Sequence, residues 1–274
     1  MTDAAAQYRT GTYNMLNGKV AVVSGSTSGI GLAIARALAG QGADILLNGF
    51  GDAAGIESIR DCITAEFGVR TVYDPADMSR PDEAAGLVRA ARDGLGGCDI
   101  LVNNAGIQHT APIEDFPAEH WDAIIALNLS QAFHTIRTAI PMMYENGWGR
   151  IVNIASVHGR VASINKAAYV SAKHGLVGLT KVVALEAAGR GVTCNAICPG
   201  WVLTPLIQKQ IDIRAAEKEL SAEAATIDLL AEKQPSRQFA TPEQVGALAA
   251  FLCLPAAEQI TGQALGIDGG WTAQ

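Results

Sequence analysis

Tyr169 and Lys173 stand four residues apart in Tyr169-Val170-Ser171-Ala172-Lys173, a spacing that puts a phenol and an ammonium on one face of a helix. A tyrosine ordinarily titrates near ~10. A fixed cation beside it stabilises the phenolate and brings the group into range as a general base or acid. Ser156 precedes this pair just past an expected strand, where its hydroxyl is available to hold a reacting oxygen. Asn128 falls inside a long helical stretch, where its side chain can break a local backbone bond and relay protons through water. A Tyr and a Lys so spaced are commonplace on helix surfaces, and a serine after a strand is equally so. Their combination points to proton transfer on an alcohol or a ketone.

The elements that must carry these groups alternate. Val20-Ala21-Val22-Val23 reads as a strand too apolar to be half exposed. An Ala-rich helix over 30–41 follows, then strands at 44–47 and 70–73, a helix over 81–95 with Pro81 in its first turn, and a strand at 99–102. The spacing predicts a long helix over 117–145, interrupted or ended around Pro141, a strand at 150–154, a helix over 168–189 and a strand at 192–197. A last helix over 242–253 precedes the apolar segment around Leu265-Gly266-Ile267. This alternation implies an α/β fold, a Rossmann-like doubly wound parallel sheet with right-handed crossovers. One domain spans 15–274, and residues 201–237 break the rhythm with two amphipathic pieces, 205–219 and 221–233. An insert of this length is expected to form a helical lid over the crevice at the carboxyl ends of the strands. Residues 1–14 read as a loose extension, with Met1 and Met15 both open as the start.

Between the first strand and its helix lies Ser24-Gly25-Ser26-Thr27-Ser28-Gly29-Ile30-Gly31. Glycines there let the backbone turn sharply and approach a pyrophosphate, while the helix start offers free N–H groups and its positive end. Set between a buried strand and a helix, the loop reads as a dinucleotide cradle, with Gly25, Ser28, Ile30 and Gly31 on it. The second strand runs into Asn48-Gly49-Phe50-Gly51-Asp52, which puts Gly49 where many NAD-binding domains carry an acid. The segment has no Arg or Lys to receive a 2′-phosphate, which favours NAD over NADP, and Phe50 is placed to stack near the adenosine.

Composition excludes several function classes. With 49% hydrophobic and 17% charged residues a sizeable core is available, and a formal charge of −7 argues against nucleic acid or an anionic membrane as partner. No stretch is long and apolar enough to span a bilayer, and the N-terminus lacks the pattern of a secretory signal. The five cysteines, Cys62, Cys98, Cys194, Cys198 and Cys253, form no metal-like pattern, so no metal is expected and a reducing, cytoplasmic compartment is.

The cradle, Asn104-Ala105-Gly106, Asn128, Ser156 and the Tyr169/Lys173 pair, in this order, resemble the short-chain dehydrogenase/reductase family over residues 16–274. The resemblance implies that Tyr169 exchanges the hydroxyl proton and that Ser156 orients substrate. Lys173 holds the nicotinamide ribose and lowers the tyrosine pKa, and Asn128 supports a water-linked proton path. Asn104 and Gly106 line the adenosine-ribose side, and Asp77 the adenine. Pro199 and Gly200 sit by the nicotinamide, with Val202 and Thr204 beyond them.

Further segments, among them Asn103–Thr110, Ala155–Gly159 and Cys198–Trp201, narrow the resemblance to members that act on a small hydroxy acid. They imply NAD-dependent, reversible oxidation of D-3-hydroxybutyrate to acetoacetate and a homotetramer. A carboxylate taken out of water needs several charge-assisted donors. Gln108, His158, Lys166 and Gln210 flank the catalytic segments, and the resemblance assigns all four to the carboxylate, with Trp201 closing the apolar side. His109 is read as structural or gating, and His120, His134 and His174 as structural. Rival readings are a 3-oxoacyl thioester reductase, a sugar or polyol dehydrogenase, and a catalytically silent binding member. The thioester reductase would want a cation near 48–52, and a silent member would typically lack one of the four catalytic residues.

Overall fold

The computed structural model describes residues 14–273. The expected extension over 1–14 lies outside the described residues apart from Asn14. Seven strands form one all-parallel sheet: β1 (Val20–Val23), β2 (Asp44–Asn48), β3 (Thr71–Asp74), β4 (Ile100–Asn103), β5 (Gly149–Ile154), β6 (Val192–Pro199) and β7 (Ala264–Ile267), in the order β3-β2-β1-β4-β5-β6-β7. Successive residues of the central strands alternate between two cores. Val22, Leu46, Leu101 and Ile151 pack toward the helices α3 (Pro81–Leu95), α5 (Gln131–Glu145) and α6 (Ala167–Glu186). Val23, Ile45, Val102 and Val152 pack toward α1 (Gly29–Ala39), α2 (Ala53–Phe67) and α9 (Pro242–Cys253). Burial on both faces is what the unbroken apolar runs require.

Two sequence expectations need correction. The long helix does not break at Pro141, which sits inside α5 between the buried Ala139 and Met143. The ring costs one backbone hydrogen bond, but its fixed φ suits a helix, and packing on both sides holds the turn. The irregularity lies earlier: α4 (Ala118–Ile125) passes into α5 through a π-helical turn, Ala126–Ser130, with Asn128 at its centre. No element was assigned to 53–67, where α2 forms with only Ile56 and Ile63 buried, too sparse an apolar stripe to stand out. The 201–237 insert holds two helices, α7 (Pro205–Glu217) and α8 (Ala222–Lys233). They are joined by a small core of Ile207, Ile211, Ala225 and Leu229, and by Arg214, which pairs with Asp228 at 2.8 Å and Glu232 at 3.0 Å. No described helix is long and apolar enough to cross a membrane.

The β1–α1 turn is close-packed. A Cβ on Gly31 would lie 2.2 Å from the Gly25 carbonyl oxygen and 2.5 Å from Asn104 Nδ2. Gly31→Ala is therefore expected to lower stability by about 1–3 kcal/mol, read as a shifted urea midpoint with the same m-value. An unchanged midpoint would show that the turn relaxes freely.

Candidate active site

The strand order reverses between β1 and β4, and the crevice opens there, at the carboxyl ends of the strands. Its two lips are tied together. Ser24 Oγ accepts the backbone N–H of Asn104 at 3.0 Å and of Ala105 at 3.1 Å, and Asn104 Nδ2 donates to the carbonyls of Ser24 (2.9 Å) and Gly25 (3.0 Å). Ser28 caps α1 with an extended backbone and makes no side-chain cap bond, so the first N–H groups of the helix are left for a ligand. Gly25, Ser28, Ile30, Gly31, Phe50, Asp77, Asn104 and Gly106 all line this chamber. A bare glycine floor under an uncapped helix start fits a dinucleotide pyrophosphate.

At the far end of the chamber Gly49 has φ 146°, open to glycine and little else. A Cβ there would also meet Thr27 Oγ1 at 2.7 Å, so no acid fits without displacing Thr27. Thr27 Oγ1 donates to the Phe50 carbonyl at 3.0 Å and Tyr73 Oη to that of Gly49 at 2.8 Å, which pins the strand end with Phe50 71% exposed. Asp77 is the one charged residue on this chamber's wall among the described residues, and its carboxylate is held below the usual range by the Ser79 hydroxyl and backbone N–H.

The crevice continues into a second chamber that shares Ile30, Asn104, Gly106, Ile107 and Thr204 with the first. Ser156, Tyr169 and Lys173 meet here, with Pro199, Gly200 and Val202 beside them. Ser156 Oγ accepts the His158 N–H at 3.2 Å at the start of a short 3₁₀ turn, Val157–Gly159. As a donor, the same hydroxyl faces the Tyr169 oxygen. Burial raises the Tyr169 phenol above its ordinary value, with the Ser156 hydroxyl pulling it back. Lys173 is buried and brought down to about 8 by desolvation. Its Nζ donates to the Ile154 carbonyl at 2.7 Å and lies 5.6 Å from the centre of the Tyr169 ring. The lowering of the tyrosine pKa that the resemblance implies for Lys173 is not among the causes acting on the phenol here. Asn128 does not line the chamber. It sits one layer behind, buried, with Oδ1 accepting from and Nδ2 donating to the Ile107 backbone, both at 2.9 Å.

Gln108, His158, Lys166 and Trp201 line the same chamber, facing the Ser156–Tyr169 pair. Lys166 has no carboxylate within ion-pair reach among the described residues. Its Nζ lies 5.5 Å from the centre of the Trp201 ring, and burial lowers its pKa. His158 is pushed down to about 4 by burial and then by the Lys166 charge, so its ring is neutral at ordinary pH. His158 Nδ1 is buried without a partner. Gln210, on α7, is not among the residues lining the chamber, whereas Ile207, one turn earlier, is. His109 stacks on His120 at 4.0 Å and meets Phe116 edge-on at 5.4 Å, away from the chamber wall. Trp271 was missed by sequence reasoning. It is packed 5.6 Å from the His158 ring and 5.5 Å from that of Trp201, completing an aromatic wall. The one signal for it was a tryptophan after Gly269-Gly270, far in sequence from everything it touches.

A family model described as enoyl-(acyl carrier protein) reductase matches residues 25–272. The D-beta-hydroxybutyrate dehydrogenase of Cupriavidus necator is 59% identical over 260 residues, 95% of this chain and 100% of that protein. The protein of that name from Rhizobium meliloti is 55% identical over 256 residues, covering 93% and 99%. Among solved structures, L-sorbose reductase from Gluconobacter frateurii, complexed with NADPH and L-sorbose, superposes with a TM-score of 0.90 at 31% identity, covering 95% of this chain and 99% of that one. With this match across the chain and the crevice built from its own residues, the chain belongs to the short-chain dehydrogenase/reductase family of nicotinamide-dependent oxidoreductases.

Proposed function

We propose that the protein catalyses the reversible oxidation of D-3-hydroxybutyrate to acetoacetate with NAD. The observation that carries this reading is Lys166, an ammonium half-buried beside an indole with no counter-ion among the described residues, in the chamber that also holds Ser156 and Tyr169. Holding a charge there is costly unless a ligand supplies the opposite one. A short hydroxy acid does so, and its carboxylate would also accept from Gln108 and from the neutral His158 ring. The names of the two relatives more than half identical to this chain support the same substrate. NAD is favoured over NADP because, among the described residues, no Arg or Lys stands on the wall around Gly49 and Phe50, and Asp77 stands there instead.

Tyr169 Oη takes the proton of the substrate hydroxyl as the alcohol becomes a ketone, and returns it in the reverse direction. When bound, the nicotinamide supplies the acceptor for the hydride. Ser156 donates its hydroxyl proton to the reacting oxygen, and Lys173 offsets the charge of the phenolate. Asn128 fixes Ile107 and supports the proton path from one layer behind. The α7–α8 insert closes over the acid as a lid, excludes water and carries Gln210 toward the carboxylate.

Tyr169→Phe is expected to lower turnover by about two to four orders of magnitude while NAD still binds, measured by initial rates and by fluorescence titration. Retention of substantial turnover would contradict the assigned role. Lys166→Ala is expected to raise KM for the acid about tenfold to a hundredfold with little change in that for NAD. An unchanged KM for the acid would remove Lys166 from the anion site. His158 gives a pH signature. Between pH 6.5 and about 4 the unfolded imidazole takes up a proton that the folded one refuses, so its contribution to stability falls on acidification and is flat above 6.5. In urea titrations, His158→Asn is expected to flatten the loss of stability over this window. A gap between variant and wild type that stays constant with pH would contradict it.

A further inference from the structure

We propose that Gln234 is a positioning residue for the substrate: it clamps the neck of the α7–α8 insert and sets the two tryptophans that wall the acid's chamber. This inference rests on the reading that the chamber holds a small acid.

Gln234 follows α8 directly and is 2% exposed. The insert leaves the sheet at 201–203 and returns at 234–240, and both ends meet at one narrow neck. There the Ala240 N–H donates to the Trp201 carbonyl at 2.9 Å, and Val202 and Ala240 form an isolated parallel bridge. The Gln234 side chain spans this neck. Its Oε1 accepts the Trp201 N–H at 2.9 Å, and its Nε2 donates to the Gln238 carbonyl. Both ends of the amide are committed, one to each side of the insert, so it cannot turn over without losing both bonds.

The same side chain presses on two further strands of backbone. A Cβ built on Gly200 would meet Gln234 Oε1 at 2.8 Å, and one on Gly269 would meet Gln234 Cγ at 2.8 Å. Gly200 precedes Trp201, and Gly269 lies two residues before Trp271. Ser236 N–H donates to the Gly269 carbonyl at 3.0 Å, which fastens the return strand of the neck to the segment carrying Trp271. One buried amide thus touches the backbone leading to each tryptophan and to both ends of the insert. The insert itself is braced by the Arg214 pairs and its own small core, so the neck is the place where a change of its angle would be taken up. Gln234 meets neither chamber directly and acts through Trp201 and Trp271.

The test compares wild type, Gln234→Ala and Gln234→Glu in steady-state kinetics with D-3-hydroxybutyrate and NAD, and in fluorescence titrations with NAD alone. The glutamate keeps the volume and the acceptor for Trp201 N–H, but offers the Gln238 carbonyl no proton, so it breaks one half of the clamp in a packed site. Each variant is expected to raise KM for the acid about tenfold, the worth of one buried hydrogen bond, while Kd for NAD stays within about twofold of wild type. An unchanged KM in either folded variant overturns the proposal, and so does a rise in NAD Kd in step with KM, which marks general loosening of the fold. A wild type that does not turn over D-3-hydroxybutyrate at all overturns the substrate reading and this inference together, whereas an active wild type with indifferent variants overturns this inference alone.

Discussion

The crevice depends on how its two lips are held. Where the strand order reverses, the connections after β1 and β4 leave toward opposite faces, and beyond the Ser24 N–H bond to the Val102 carbonyl the sheet no longer sets the gap between them. Ser24 and Asn104 set it, through four hydrogen bonds that use a hydroxyl, a carboxamide and backbone groups on both sides. The glycines then clear the floor, and the uncapped start of α1 gives the polar lining its sign. The cofactor end is thus almost wholly backbone chemistry, which suits a ligand whose pyrophosphate is met by N–H groups rather than by side chains.

The other end of the crevice works by burial. Tyr169, Lys173, His158 and Lys166 lie within one chamber, and desolvation is the first cause of the shift in each. The phenol goes up and the three bases go down, so each is pushed toward its neutral form. A ligand that brings negative charge beside Lys166 reverses that pressure on the cation and leaves His158 neutral as a hydrogen-bond donor. The aromatic wall of Trp201 and Trp271 lowers the local polarity on which this depends. In the proposed reaction the substrate supplies the charge and the protein the proton capacity.

Much of this was readable in the chain. The doubly wound sheet followed from runs too apolar for one buried face, and the helices over 81–95, with Pro81 in its first turn, and 242–253 fall where the sequence pattern puts them. The cradle and the Ser156–Tyr169–Lys173 set were legible because they are local patterns tied to element ends. What escaped was of two kinds. Alpha-helix α2 buries too little to signal itself, and Pro141 reads as a break when its cost is one hydrogen bond that neighbouring burial outweighs. Trp271, the Gln234 clamp and the Ser24–Asn104 tie are contacts between segments far apart in sequence, and no spacing encodes them. Gln210 is assigned to the carboxylate by resemblance alone, and it does not line the chamber.

The central claim is that the chamber is built for an anion and not merely for a small alcohol. The most direct measurement compares kcat/KM for D-3-hydroxybutyrate with that for its methyl ester, with NAD and wild-type protein under identical conditions. The two differ little in size and reacting group but only one is charged. The account predicts a preference for the acid of at least about tenfold, the worth of one charge-assisted hydrogen bond. Equal values, or a preference for the ester, would contradict it.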